Sequence, residues 1–224
     1  MIMEKSSTNF IWIEVYQQLR SMIVDGRYPP GSKLVERKIS DALGASRTSV
    51  RYALHHLVAD GLLELHPGEG AYVAQLTSED AIKVLDVREA LEGMATRLAT
   101  LHMTDQQIQE LEKLRDRMRE AIAKHEYLSY LEYTKKFHEI ITDSTNNNYL
   151  RVALMAAKVK TIQYTTNILL TGSMEDLLEG HSRILEAIKM RSPDYAEECA
   201  RDHVKLIRNC YIKLTKHNVF NLSD

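Results

Sequence analysis

From Phe10 to Gly26 the apolar residues Ile11, Val15, Leu19, Met22 and Ile23 recur at helical spacing. The segment therefore predicts an amphipathic helix with one buried stripe. Asp25-Gly26 marks its end, and Pro29-Pro30-Gly31 sets a turn. "KLVERKISDALGA" predicts a brief extended entry followed by a short helix, Glu36 to Leu43, closed by Gly44. Ser46 is placed to cap the next helix, whose stripe is Val50, Ala53, Leu54, Leu57 and Val58, and Asp60-Gly61 ends it. "LLELHPGEGAYVA" then predicts two short strands around a glycine-containing turn. Three helices followed by a hairpin make the pattern of a winged helix-turn-helix.

After "QLT" (75–77) the pattern changes to helical periodicity with no strand alternation. Six helices are predicted, at 78–102, 104–125, 126–143, 147–171, 173–190 and 193–217. Thr104 with Gln107, and Ser173 with Asp176, have capping-box spacing, and Ser192-Pro193 puts a capping serine before a first-turn proline. The fold class is therefore mainly α: a winged helix-turn-helix over residues 1–76 and an all-α six-helix bundle over 77–224.

Composition narrows the partners. Apolar content of 44% and charged content of 27% suit a soluble globular chain of 224 residues with one or two domains. No apolar run approaches the roughly 20 residues that cross a bilayer, and "MIMEKSSTNF" has no apolar signal core. A cytoplasmic protein with no membrane partner is the expectation. Cys199 and Cys210 lie three turns apart on one predicted helix, too far to bridge, and read as reduced core residues. The net charge of −2 gives no global signal for nucleic acid. Lys33, Arg37, Lys38, Arg47 and Arg51, however, face only Glu36 and Asp41 within one short stretch, which makes a local basic patch.

That patch centres on "SRTSVRYALHHL". With the apolar stripe turned inward, Arg47, Arg51 and His55 lie a turn apart on another face, flanked by Thr48 and Tyr52. The hydroxyls of Ser46, Thr48 and Ser49 gather at the helix N-terminus, where free backbone N–H groups favour phosphate. Arginine forks can pair with guanine edges in the major groove. Two arginines on a helix usually mean a solvated face; the basic helix before them and the hairpin after them complete a DNA-binding motif instead.

"VERKISDALGASRTSVRYALHHLVADGLLELHPGEGAYV" closely resembles the winged-helix domain of the GntR superfamily of bacterial transcription regulators. The resemblance covers residues 10–76. It implies contacts to double-stranded operator DNA from Arg37, Ser46, Arg47, Thr48, Ser49 and Arg51, with the wing tip, Gly68, in the minor groove. Tyr52 and the acidic Glu69 depart from the family pattern.

Among nine histidines, His138, His181 and His203 each border an apolar stripe of a predicted helix in the second half. Three such imidazoles can hold a transition-metal ion, although the spacing by itself matches many arrangements. "LDVREALEGMATRLA", "FHEII…NNNYL" and "GHSRILEAI…H" resemble the FCD ligand-sensing domain of FadR-type GntR regulators. That resemblance implies a divalent ion (zinc, nickel or manganese) on His138, His181 and His203. It also implies an acidic ligand one turn before the first histidine, where this chain has Thr134. Glu132 and Glu139 lie on the wrong phase to replace it. With one ligand fewer, an open-sided metal suits a small organic acid, and Arg88 sits at the family position that often faces the effector. Arg88 is equally spaced to pair with Glu92.

The resulting expectation is a homodimeric repressor or activator, not an enzyme, whose DNA binding answers to a carboxylate metabolite bound near Arg88 and Thr134. A metal-dependent hydrolase is the first alternative, but no metallohydrolase spacing accompanies the histidines. A protein-interaction module that does not touch DNA is the second.

Overall fold

The computed structural model describes residues 5–24, 26–75, 77–169 and 174–220, with side chains described over most of them. The chain divides into two compact units, one ending at Thr77 and the other beginning at Ser78. This is one residue beyond the expected boundary.

In the first unit, α1 (Lys5–Val24), β1 (Lys33–Leu34), α2 (Glu36–Leu43), α3 (Arg47–Ala59), β2 (Leu63–His66) and β3 (Gly70–Val73) follow in order. The expected extended entry is a true strand. β1 pairs antiparallel with β3 (Leu34 opposite Ala71), and β3 pairs with β2 (Leu65 opposite Ala71), giving the order β1-β3-β2. The hairpin thus becomes a three-stranded sheet. Val15, Leu19 and Ile23 of α1 pack with Val50, Ala53, Leu54 and Leu57 of α3 and with Ile39 of α2 in the core. Ile11, expected on the buried stripe of α1, is 40% exposed. Its end of α1 is held instead by Trp12, which stacks on His56 at 4.4 Å. One turn on, Tyr16 donates a 2.5 Å hydrogen bond to Asp60. Asp25, read as part of the helix stop, and Leu76, at the expected boundary, lie outside the described residues.

Gly44 turns the chain between α2 and α3. Its φ of 61° is left-handed, which glycine adopts without the steric penalty of a Cβ, and its N–H bonds to Ser40 O. Ser46 then caps α3 by accepting from the Ser49 N–H. This tight, locally satisfied turn aims the α3 N-terminus outward.

The second unit is helical: α4 (Ser78–His102), α5 (Asp105–Ala123), α6 (Tyr127–Asp143), α7 (Asn148–Leu169), α8 (Met174–Lys189) and α9 (Pro193–Phe220). These are the six expected helices, with ends shifted by at most three residues. The Thr104–Gln107 capping box forms with both reciprocal bonds, whereas Ser173 lies outside the described residues. α4 packs along α9 and beside α7, while α5 packs on α6 and α8. The main core runs through Leu85, Ala99, Leu111, Met118, Phe137, Ile184, Leu185 and Val204, and Cys199 and Cys210 sit in it as free thiols. A smaller cluster of Ala95, Leu150 and Leu154, with Leu91 and Leu98 against it, joins α4 to α7. Among the described residues no helix is long and apolar enough to cross a membrane.

Candidate nucleic-acid interface and metal centre

The α3 face carries most of the side chains expected to meet DNA. Arg37, Ser46, Arg47, Thr48 and Arg51 are exposed, as are Tyr52, His55 and the wing-tip Gly68. Ser49 is the exception. It is only 3% exposed, and its hydroxyl sits 2.9 Å from Ser46 Oγ. Ser49 therefore serves the cap, and its side chain is turned away from a phosphate. Arg51 is not free either. Its Nε and Nη2 donate to Glu36 Oε1 and Oε2, each at 2.9 Å. This bidentate bond, aided by the charges of Arg47 and His55, holds the Glu36 carboxyl below the usual carboxylate range. Glu36 is a site residue that the sequence reading counted only as a charge. Behind these groups lies a cleft lined by Leu34, Glu36, Arg47, Arg51, His55 and Gly70, between α2, α3 and the wing. In the wing Glu69 accepts from the Tyr72 hydroxyl at 3.2 Å, and Tyr72 carries His66 stacked at 4.5 Å and Lys33 5.5 Å from its ring centre.

Inside the second unit the three expected histidines converge. His138 comes from α6, His181 from α8 and His203 from α9, and one ring nitrogen of each lies within 4.8 Å of the others. Phe137 closes the site with its ring edge-on to His138 and His181, at 5.8 and 5.2 Å. Gly180 leaves room for His203: a Cβ there would stand 2.4 Å from His203 Nδ1. Burial disfavours the imidazolium, so all three rings are held neutral. His138 and His181 lie well below the ordinary value and His203 is pushed down to about 4.

The donor set fits a metal ion. His181 Nδ1 is 2.7 Å from the Leu177 carbonyl, which fixes its proton there and leaves Nε2 a lone pair. His138 Nδ1 turns to Glu92 Oε2 at 3.5 Å. The two Nε2 atoms then face each other at 3.2 Å. That approach is satisfied either by an N–H of His138 donating to His181 or by a cation that both lone pairs hold. A carbonyl or carboxylate behind each ring is the outer-shell arrangement that orients metal-binding histidines. His203 Nδ1 is buried without a hydrogen-bond partner.

The carboxylate that reaches this cluster is Glu92 of α4, not a residue of α6. Thr134 Oγ1 points to Met118 Sδ at 3.8 Å, and Glu132 pairs with Lys136 on the surface. Arg88 takes the pairing the sequence also allowed: Nε and Nη2 donate to Glu92 Oε1 at 3.0 and 2.8 Å, with both side chains buried. Burial opposes the charge on Glu92, yet the charges of Arg88 and Lys158 hold its carboxyl well below the usual range. Lys158 of α7, which sequence reading did not single out, is pulled down by its own burial and supported by Glu92. Arg88 balances Glu92 beside three neutral imidazoles, with Lys158 near both on the α7 side.

Comparisons with known proteins agree with both halves. Residues 13–73 match the family of bacterial regulatory proteins, gntR family, and residues 83–206 match the FCD domain. The chain belongs to the GntR family of regulators and carries an FCD domain. It is 29% identical to the HTH-type transcriptional regulator YdhC of Bacillus subtilis, over 86% of this chain and 85% of that one. It is also 29% identical to the "Probable D-xylose utilization operon transcriptional repressor" of Paenarthrobacter nicotinovorans, over 96% and 95%. The fold matches that of E. coli McbR/YncC with a TM-score of 0.80 at 20% identity, over 92% of this chain and 98% of that chain. This GntR-family chain is thus a DNA-binding transcriptional regulator.

Proposed function

We propose that the chain is a cytoplasmic homodimeric regulator whose operator binding is set by a small organic anion held at the three-histidine centre. Arg37, Arg47 and Arg51 supply base and phosphate contacts on a palindromic site, Ser46 and Thr48 add the helix N-terminus, and Gly68 leads the wing into the minor groove. The metal, when bound, supplies open coordination positions for a carboxylate. Everything else is done by the chain. His138, His181 and His203 present neutral nitrogens, Glu92 and the Leu177 carbonyl orient the first two rings, and Arg88 and Lys158 add positive charge on the α4–α7 side. The observation that carries this reading is the convergence of three buried, neutral imidazoles within 4.8 Å, with Glu92 and the Leu177 carbonyl behind two of them.

An anion that favours one of two conformations of the helical unit would shift the DNA-competent population by its differential affinity. Relatives include a "Probable D-xylose utilization operon transcriptional repressor" and the Glc operon transcriptional activator of E. coli, so this fold is compatible with either direction of control. The experiment is a thermal-shift screen of zinc, nickel and manganese, each with and without a panel of mono- and dicarboxylates. A metal that raises Tm, and an acid that raises it further only with that metal, are the expected results. Equal shifts in His138→Ala and His181→Ala would sink the metal-centred pocket.

A further inference from the structure

His55 continues the row of arginines on α3. Arg47, Arg51 and His55 follow at intervals of four residues, so they share one side of the helix. Val50, Ala53, Leu54 and Leu57 bury the opposite side, while the His55 side chain is exposed. The other histidines of the DNA-binding unit are engaged. His56 stacks on Trp12 at 4.4 Å, and His66 stacks on Tyr72 at 4.5 Å and stands 3.8 Å from Glu64. Among the described residues His55 makes no hydrogen bond or ring stack.

The surroundings suit an anion. The cleft that His55 lines holds Lys33 of β1, Arg37 of α2, and Arg47 and Arg51 of α3 against two carboxylates, Glu36 of α2 and Glu69 of the wing. Glu36 is bonded to Arg51, and Glu69 accepts from Tyr72. Tyr52 stands beside His55 on α3, three residues earlier and 58% exposed. The reach also fits. His55 comes eight residues after Arg47, about 12 Å along the axis at 1.5 Å per residue, and the major groove is about 12 Å wide. With the Arg47 end on the base edges, as recognition helices are seated, His55 arrives at the phosphates on the groove wall.

We propose that His55 is a phosphate-contacting residue whose proton is part of the contact, so that each DNA-binding unit takes up a proton as it seats on the duplex. The assignment rests on the α3 surface proposed above to meet DNA and goes further by making that contact answer to pH. A phosphate oxygen accepts an N–H from the ring and adds negative charge beside it, and both favour the imidazolium. An imidazole exchanges its proton in the physiological range, so affinity falls as pH rises through it. The test uses the full-length chain and two probes: a pool of random duplexes of about 30 base pairs, and the duplex that the parent selects from that pool. Fluorescence anisotropy at one salt concentration gives Kd on each at about pH 6 and about pH 8. From the lower to the higher pH the parent's Kd should rise at least about fivefold more than that of His55→Gln, the effect of one linked proton. His55→Lys, a cation at both pH values, should flatten the profile and remove the parent's deficit at the higher pH. Phosphates carry no sequence, so both probes should show the dependence. Melting curves check that each variant is folded. A His55→Gln chain that keeps the parent's pH dependence, or a dependence confined to the selected duplex, overturns the His55 contact and leaves the α3 surface. Arg47→Ala and Arg51→Ala chains that bind both probes as tightly as the parent overturn the surface and His55 with it.

Discussion

Arg51 of α3 is clasped by Glu36, the first residue of α2, through two parallel hydrogen bonds of 2.9 Å. The guanidinium is 59% exposed, so the pair holds an orientation more than it adds stability. It keeps the Arg51 side chain extended on the surface proposed to meet DNA. Arg51→Ala should weaken operator binding by about 1–3 kcal/mol and relax sequence preference. Glu36→Gln should act differently. It frees the fork and removes one negative charge, so non-specific binding rises and the ratio of operator to random DNA falls. Fluorescence anisotropy on both duplexes between about 50 and 200 mM salt separates the two effects. Unchanged discrimination in Glu36→Gln would show that Glu36 does not orient Arg51.

Tyr16 ties α1 to the end of α3 and gives the DNA-binding unit a measurable pH signature. Its partial burial, together with the bond to Asp60, pushes the phenol up to about 12. The unfolded phenol loses its proton near ~10. The contribution is therefore complete below pH ~10 and is lost as the pH rises toward the folded value. Tyr16→Phe should cost about 1 kcal/mol at neutral pH. Thermal melts between about pH 8 and 11 should show the gap between parent and variant closing as pH rises. A gap that stays constant across that range refutes the linkage.

Glu92 supplies the negative charge that Thr134 does not. Glu92→Gln should lower metal affinity by about 10–100-fold, because the His138 ring loses its outer-shell carboxylate. It should also destabilise the chain by several kcal/mol, on the order of a broken buried ion pair, since Arg88 and Lys158 lose their counter-charge. Thr134→Asp works in the opposite direction and places a carboxylate one turn before His138. Equilibrium dialysis with zinc, nickel or manganese should show tighter binding in Thr134→Asp. Equal metal affinity in parent and both variants would remove Glu92 from the site.

How much of this the sequence revealed follows from where each signal lies. Helices repeating over many turns declare themselves, and the caps at Ser46 and Thr104 mark ends that the structure reproduces. β1 is two residues long and gains strand character only from pairing with β3, a non-local fact. Ser49 looks like a surface hydroxyl by composition, but the cap geometry turns it inward. Glu92 was visible only as a neighbour of Arg88. The missed clue was its phase: Arg88, Glu92 and Thr96 fall on the same stripe as Leu85 and Ala99, and charged residues on a core stripe need buried partners. Lys158 gave no such clue, because its partner lies on another helix.

Gly180 lies against His203 in the three-histidine cluster, and the fit there can be tested without any metal. A methyl at its Cα would stand 2.4 Å from His203 Nδ1, nearer than any real Cβ contact, and the ring is packed against His181 with centroids 4.3 Å apart. His203 must therefore move, or α8 and α9 must separate. Gly180→Ala favours the helix by propensity, by about 1 kcal/mol. Overpacking opposes it by about 1–3 kcal/mol. The expected outcome is a lower Tm in the metal-free chain and weaker metal binding, with helical content unchanged by circular dichroism. A Gly180→Ala chain that melts higher than the parent and binds metal equally well would mean that His203 has room to turn aside, and that its position is not set by the bare Cα of Gly180.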